Sequence, residues 1–362
     1  MSSQADYLKK TRAELVAICK EAGLKGYSTK KKAELIKLLE GATKTSTVSA
    51  LLTVTTTEVL TKPFLKWVGG KTQILEKVLS KFPKTMQSYH EPFLGGGSVL
   101  LGLLSLQKAG QIQISGKIYA SDLNATLIAL YKNIQKNVDA FIETITALKE
   151  EFEGITGTDV NRKPATLKEA STSKESYYYW IRSQFNTLVK EGKCKTLEAS
   201  AMFLFLNKTC FRGVYREGPN GFNVPYGHYE NPGILNEEHL RGISELIQKV
   251  RFKAQGFEKS LSKCKAGNFV YLDPPYAPEN EKSFVGYNSG GFSLENHQEL
   301  FEACKKLVEI GANFTMSNAD VTLVRDAFPA GEYETEVVEC RRAINSKKPE
   351  SKTNEVLISS IH

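Results

Sequence analysis

Apolar residues recur along this chain in two periods, and the alternation of the two predicts its elements. Phe269-Val270-Tyr271-Leu272 is an unbroken apolar run. It is too short for a helix and reads as a buried strand. Ile118-Tyr119-Ala120-Ser121-Asp122 reads as a second strand that ends in an acid. Helical spacing follows two glycine-bearing segments: Ile74, Leu75, Val78 and Leu79 after the first, Val99, Leu100, Leu103 and Leu104 after the second. A helical stretch is expected from Asn124 to about Phe152, a polar loop over 154–176, helices at Tyr177–Arg182 and Ala199–Asn207, a loop or hairpin over Thr209–Tyr229, and a helix at 237–250. Near the N-terminus, Leu8, Leu15 and Ile18 mark one helix and Leu35, Ile36, Leu38 and Leu39 another. The turn Gly23–Ser28 lies between them, with Ser28 or Thr29 as a cap. Residues 42–62 are rich in Thr, Ser and Val and read as a linker, with a strand at Leu51–Val54.

The chain has 362 residues and is 41% hydrophobic, enough to bury a large core in two or three domains. No apolar stretch approaches the roughly 20 residues that span a bilayer. The first residues lack a signal peptide's apolar segment, so an intracellular, soluble protein of the cytoplasm or nucleus is expected, with no membrane partner. Six scattered cysteines with no Cys-x-x-Cys pair suit reduced thiols, and no cluster suggests a bound metal. The net charge is +8, and residues 1–62 hold 11 Lys and Arg against 6 Asp and Glu. Most of the positive excess is therefore N-terminal. Lys30, Lys31 and Lys32 open the second helix, against the preference of its dipole, and point to an anionic partner; the plainer reading is a solvated surface.

The chemistry concentrates in Asp273-Pro274-Pro275-Tyr276. Two prolines stop the strand and fix the backbone. They hold an acid and an aromatic ring at a strand's carboxyl end, where open α/β sheets bind ligands. A planar base can stack on Tyr276 and donate its amino hydrogens to Asp273 and the Pro274 carbonyl. Three further segments fit that context: Pro63–Lys71, Glu91–Ser98 with its three-glycine turn, and Ile118–Asn124. The glycine turn lets a backbone approach a ligand. It does not fit NAD, because Leu100 stands where a small residue is needed. Gly70-Lys71-Thr72 does not complete a P-loop, because Leu65 replaces the first glycine. Asp122 can accept ribose hydroxyls.

From about Pro63 onward the chain resembles the Dam-like (alpha-group, D12 class) S-adenosylmethionine-dependent DNA adenine-N6 methyltransferases. The resemblance implies an α/β, class I methyltransferase Rossmann-like sheet over 63–134 and 241–362, a helical target-recognition domain inserted at 135–240, and S-adenosyl-L-methionine as cofactor. Trp67 and Lys71 match residues that contact the cofactor. Glu91, Phe93, Gly95 and Gly97 match the segment around its methionine part, Asp122 its ribose acid, and Asp273 the place where methyl group and base meet. The base must be flipped out of the duplex. Phe211, Arg212 and Arg216 match the DNA-reading segment, an arginine there reading guanine; phosphate contact is the plainer role. Arg212 stands where Dam members proper carry asparagine, so the resemblance does not fix a GATC target. Phe257 replaces an acid near the cofactor's adenine and either packs on that ring or fills the core. Tyr177–Trp180 read as helix core. Ser283–Tyr287 resembles a loop closing over the base, Phe314–Asn318 a strand ending near the site, and Arg341–Ser346 a basic motif. Residues 5–41 resemble a SAP-type DNA-binding module, which fits a eukaryotic or large-DNA-virus setting. Double-stranded DNA is the implied partner. A cognate restriction endonuclease acting on the same site is compatible with the resemblance, and no protein partner is required. Cytosine-N4 methylation, an RNA substrate and a non-catalytic DNA binder remain as rival readings.

Overall fold

A computed structural model describes residues 11–21, 30–37, 60–278, 292–341 and 352–360. The Gly23–Ser28 turn, the strand at 51–54, the Ser283–Tyr287 loop and the basic motif beyond Arg341 lie outside them. The chain divides into two compact units, Met1–Leu60 and Thr61–His362.

In the first unit, helix α1 (Arg12–Glu21) starts at a capping box. The Thr11 hydroxyl accepts from Glu14 N, and the Glu14 carboxylate accepts from Thr11 N at 2.6 Å. Residues 32–37 are helical. Leu15, Cys19, Leu35 and Ile36 form a small core, as the apolar spacing requires.

In the second unit the main sheet has seven strands among the described residues: β1 (Tyr89–Glu91), β2 (Ile118–Asp122), β3 (Val250–Ala254), β4 (Phe269–Leu272), β5 (Asn313–Ala319), β6 (Tyr333–Arg341) and β7 (Lys352–Ser360). Their spatial order is β3-β2-β1-β4-β5-β7-β6. The first five run parallel, and β7 is antiparallel to both of its neighbours. The order reverses between β1 and β4, and a crevice opens at the carboxyl ends of the strands at such a switch point.

All four residues of β4 are buried, because both faces of the sheet are covered. On one face Val270 and Leu272 pack with Phe314 and Met316 of β5 against Leu300, Phe301, Cys304 and Leu307 of a long helix, Leu294–Glu309. On the other, Phe269 packs on Phe82 and Tyr89, and Tyr131 stacks on Phe252 of β3.

The expected helix from Asn124 to Phe152 is two helices, Ala125–Lys136 and Val138–Glu153. Asn137 breaks it: its backbone leaves the helical region and its side chain accepts from Ala140 N at 3.2 Å. The loop at 154–176 holds a single helical turn, Leu167–Ala170, and the next helix already starts at Lys174, capped by Ser173. The helix expected to reach residue 250 stops at Leu246, and Val250 opens β3. Thr209–Tyr229 contains a short hairpin, Glu217–Gly218 with Gly221–Phe222. Among the described residues, no helix is long and apolar enough to cross a membrane.

Candidate active site

β4 ends at Leu272, and Asp273 follows at its carboxyl end, just before the two prolines. The Asp273 carboxylate lies 2.7 Å from the Lys71 ammonium. Lys71 is buried; its ammonium also donates to the Gly69 carbonyl at 2.7 Å and stands 5.0 Å from the centre of the Tyr276 ring. A buried cation is tolerable only with such partners. Burial raises the Asp273 pKa, Lys71 opposes that shift, and the negative charge of Glu355 adds to it. Residues singled out from two separate motifs thus meet: Lys71 from one, Asp273 and Tyr276 from the other.

Glu355 has no place in any of those motifs, yet it accepts from the Tyr276 hydroxyl at 2.8 Å. Because β7 is antiparallel, its first residues lie at the carboxyl ends of the parallel strands, and Glu355 pairs with Ala319. An acid just before the apolar run Val356-Leu357-Ile358 was the only signal, and it becomes readable only once the strand's direction is known. Asn318, fully buried at the end of β5, accepts from Ala277 N at 3.0 Å and holds the segment after Tyr276. The Phe314–Asn318 strand therefore does end at the site.

Across the switch point, Glu91 ends β1 and Asp122 ends β2. Glu91 is 2% exposed and accepts from the Tyr89 hydroxyl at 2.7 Å. Burial pushes its carboxyl up to about 8 despite that hydrogen bond, and Asp273 adds to the shift. Asp122 accepts from Gly95 N at 3.0 Å and Asn124 N at 2.9 Å; burial raises its pKa, and these backbone donors oppose the rise. Leu123 beside it is 76% exposed.

The glycine turn has a cause within the protein as well as any ligand. Gly95 and Gly97 have φ of 49° and 69°. A Cβ on Gly95 would fall 2.8 Å from Trp67 Nε1, and one on Gly97 would fall 2.3 Å from the Tyr131 hydroxyl. The Trp67 indole therefore lies directly against the turn. Phe257 is buried and stacks on Phe93, ring centres 5.7 Å apart. This is the core packing that was one of its two expected roles.

Asn207 fastens the Trp67 segment to the hairpin region. It is buried, accepts from Lys66 N at 2.9 Å, and donates to the carbonyls of Lys66 at 2.7 Å and Gly213 at 3.3 Å. Tyr215 stacks on Trp67 at 6.0 Å. Neither role was visible in sequence, since a polar helix-end residue and a loop tyrosine carry no spacing signal. Phe211 is 49% exposed. Arg212 takes a left-handed conformation (φ 56°), donates its backbone N–H to the Tyr229 hydroxyl, and sets its guanidinium 5.3 Å from the Phe211 ring centre. Arg216 is exposed and donates to Asn223 Oδ1 at 2.7 Å. Tyr177 and Tyr178 are buried helix core, their hydroxyls on Glu151 and the Val224 carbonyl. In the first unit, Lys31 is exposed and Lys30 half-buried, both just before the 32–37 helix.

The donor set suits S-adenosylmethionine. It offers an acid for a ribose diol, buried carboxyls for cationic groups, and a turn whose backbone N–H groups are fixed. The chain matches the family of D12 class N6 adenine-specific DNA methyltransferases over residues 67–344. It is 37% identical to the type II methyltransferase M.MjaIII of Methanocaldococcus jannaschii over 71% of this chain and 84% of that one. It is 30% identical to the type II methyltransferase M1.LlaDCHI of Lactococcus lactis over 83% and 95% of the respective chains. It is also 30% identical to the DNA adenine methylase of Escherichia coli over 79% and 90%. Residues 5–41 were expected to resemble a SAP-type module; residues 6–45 instead match the family described as Rho termination factor, N-terminal domain. With 278 of its residues inside the first match and relatives aligned along most of their length, the chain belongs to the D12 class of S-adenosylmethionine-dependent, adenine-specific DNA methyltransferases.

Proposed function

We propose that this enzyme acts on an adenine flipped out of duplex DNA and methylates N6 directly, with Asp273, Pro274 and Tyr276 holding the base. The observation that carries this reading is the Lys71–Asp273–Tyr276 cluster at the carboxyl end of β4. The N6 lone pair is delocalised into the ring and is a poor nucleophile. Asp273 and the Pro274 carbonyl accept the two N6 hydrogens and draw the nitrogen towards tetrahedral geometry. Tyr276 stacks on the base, its hydroxyl anchored by Glu355. Lys71 opposes the rise that burial imposes on the Asp273 pKa and so favours its carboxylate form, which stabilises the positive charge that builds on N6. Positioning supplies much of the rest, and the surplus proton leaves the acidic product ammonium easily.

S-adenosylmethionine supplies an electrophilic methyl group. Asp122 holds its ribose, Glu91 its methionine end, and Trp67, Phe93 and the Gly95–Gly97 turn shape the pocket between them. The strand order and the covered faces support a class I methyltransferase sheet, with residues 135–240 as the target-recognition domain. Phe211, Arg212 and Arg216 face DNA there, and Lys30 and Lys31 add phosphate contacts from the N-terminal module. A DNA substrate implies an intracellular setting. The relatives named as type II methyltransferases favour pairing with a restriction endonuclease of the same specificity.

The test is to incubate the enzyme with labelled S-adenosylmethionine and mixed-sequence duplex DNA, then digest and identify the product. N6-methyladenine is expected from the wild type and none from Asp273→Ala, which should still bind the cofactor. Turnover persisting in that variant would remove Asp273 from the mechanism.

A further inference from the structure

The hairpin that follows Arg216 is short. Its backbone pairs Glu217–Gly218 with Gly221–Phe222. Two strands of that length do not stay paired on their own, so the hairpin takes its place from the side chains packed against it. Asn186 holds one strand, accepting from Phe222 N at 2.8 Å and donating to the Phe222 carbonyl at 2.9 Å. Tyr215 holds it on the Trp67 side.

Tyr215 is half-buried, and three aromatic rings enclose it. It stacks on Trp67 with ring centres 6.0 Å apart, meets Phe203 edge-on at 5.5 Å and lies tilted against Phe222 at 5.6 Å. Its hydroxyl donates to the Glu217 carboxylate in the first strand of the hairpin. The Asn124 side chain hydrogen-bonds the same hydroxyl. Asn124 Oδ1 already accepts from Leu127 N at 2.9 Å, so its amide nitrogen is the group left to face Tyr215. The Asn124 backbone N–H in turn donates to Asp122 at 2.9 Å.

Tyr215 therefore touches Trp67 with its ring, and with its hydroxyl it reaches the residue that braces Asp122. Towards the hairpin it touches both strands. Arg216 is the next residue: its carbonyl accepts from Asn223 N at 3.1 Å and its side chain donates to Asn223 Oδ1 at 2.7 Å. A displacement of Tyr215 carries Arg216 and the hairpin with it.

We propose that Tyr215 is a positioning residue that couples cofactor binding to DNA binding. The inference rests on the reading above, in which Trp67 and Asp122 hold the cofactor and Arg216 faces DNA. Cofactor seated against Trp67 and Asp122 fixes the two groups that hold Tyr215, and Tyr215 then sets the hairpin where Arg216 meets the duplex. Linkage makes the effect mutual, so bound duplex tightens the cofactor by the same factor.

Calorimetry with S-adenosylhomocysteine, the product that cannot turn over, tests this on the full chain, free and saturated with a duplex bearing its methylation site. The ratio of the two dissociation constants is expected to be about tenfold in the wild type. Tyr215→Phe keeps the packing, and the fold by circular dichroism, but loses the hydroxyl; the ratio should fall at least about threefold. Tyr215→Leu also loses the stack and should bring the ratio to about one. A tyrosine that served only the fold would weaken both constants alike and leave the ratio unchanged. A wild-type ratio near one, or an unchanged ratio in Tyr215→Phe, overturns the proposal. Two controls check the underlying reading separately. Cofactor affinity unaffected by Asp122→Ala, or duplex affinity unaffected by Arg216→Ala, overturns the assignment of those sites, and the coupling falls with it.

Discussion

Glu91 is held mostly neutral at pH 7, since burial lifts its carboxyl to about 8 from an ordinary 4.5. A folded-state pKa above the unfolded one favours the protonated fold. The stability this confers is complete below about pH 4.5 and is lost as pH rises through 8. If Glu91 faces the cationic methionine end of the cofactor, binding must expel that proton. Cofactor affinity should then rise with pH by up to about tenfold per unit below 8 and level off above it. Calorimetry across pH 6.5–9 should show this slope in the wild type and none in Glu91→Gln; a flat wild-type profile would separate Glu91 from the cofactor. Glu355 acts differently, through the Tyr276 hydroxyl. Losing a hydrogen bond to a charged acceptor costs roughly 1.5–3 kcal/mol. Glu355→Ala should therefore slow single-turnover methylation about 10- to 100-fold with cofactor affinity unchanged, and Glu355→Gln, which keeps an acceptor, should recover most of the rate. Asp273 and Tyr276 were legible because rigid prolines flank them and strand chemistry surrounds them. Glu355 was not, because an isolated acid acquires meaning only from the strand it pairs with.

Among the elements, the segment from Pro63 to Lys71 matters most for the site and has the least regular structure of its own. It is held by tertiary contacts: Asn207 satisfies both backbone groups of Lys66, Tyr215 covers one side of Trp67, and the Gly95–Gly96 backbone lies against it. Asn207→Ala leaves the partly buried N–H and C=O of Lys66 without these partners, at a cost of about 1–3 kcal/mol. Urea melts should register that loss, and the cofactor KM should rise more than kcat falls, because Trp67 and Lys71 lose their support together. The glycine turn was read from sequence as room for a ligand. Trp67 and Tyr131 fill the space that side chains on Gly95 and Gly97 would need, so part of the sequence signal came from packing. Helix boundaries were the least legible feature. Asn137 looks unremarkable in an apolar-periodic stretch, yet its side chain competes for backbone donors and splits one expected helix in two.

For the whole molecule, the parallel sheet was legible from its buried strands and their terminal acids, and the charge excess pointed to the N-terminal unit. Thr61 N already bonds to Ser105 Oγ at 3.0 Å, so the larger unit begins there. Removing residues 1–60 should weaken DNA binding and make its dependence on log salt shallower, by about one unit of slope for each phosphate that the N-terminal cations had neutralised. Turnover on saturating DNA should persist, and fluorescence anisotropy over a salt series alongside kcat checks both halves of the expectation. The strand order carries a consequence for how the protein is made. β7 is the last of the seven strands to leave the ribosome, yet it lies between β5 and β6 rather than at an edge. Until it arrives, β5 and β6 have no partner to join them, and Tyr276 lacks the anchor that Glu355 supplies. A chain that stopped short of β7 would therefore lack both the strand that joins β5 to β6 and the carboxylate that anchors Tyr276.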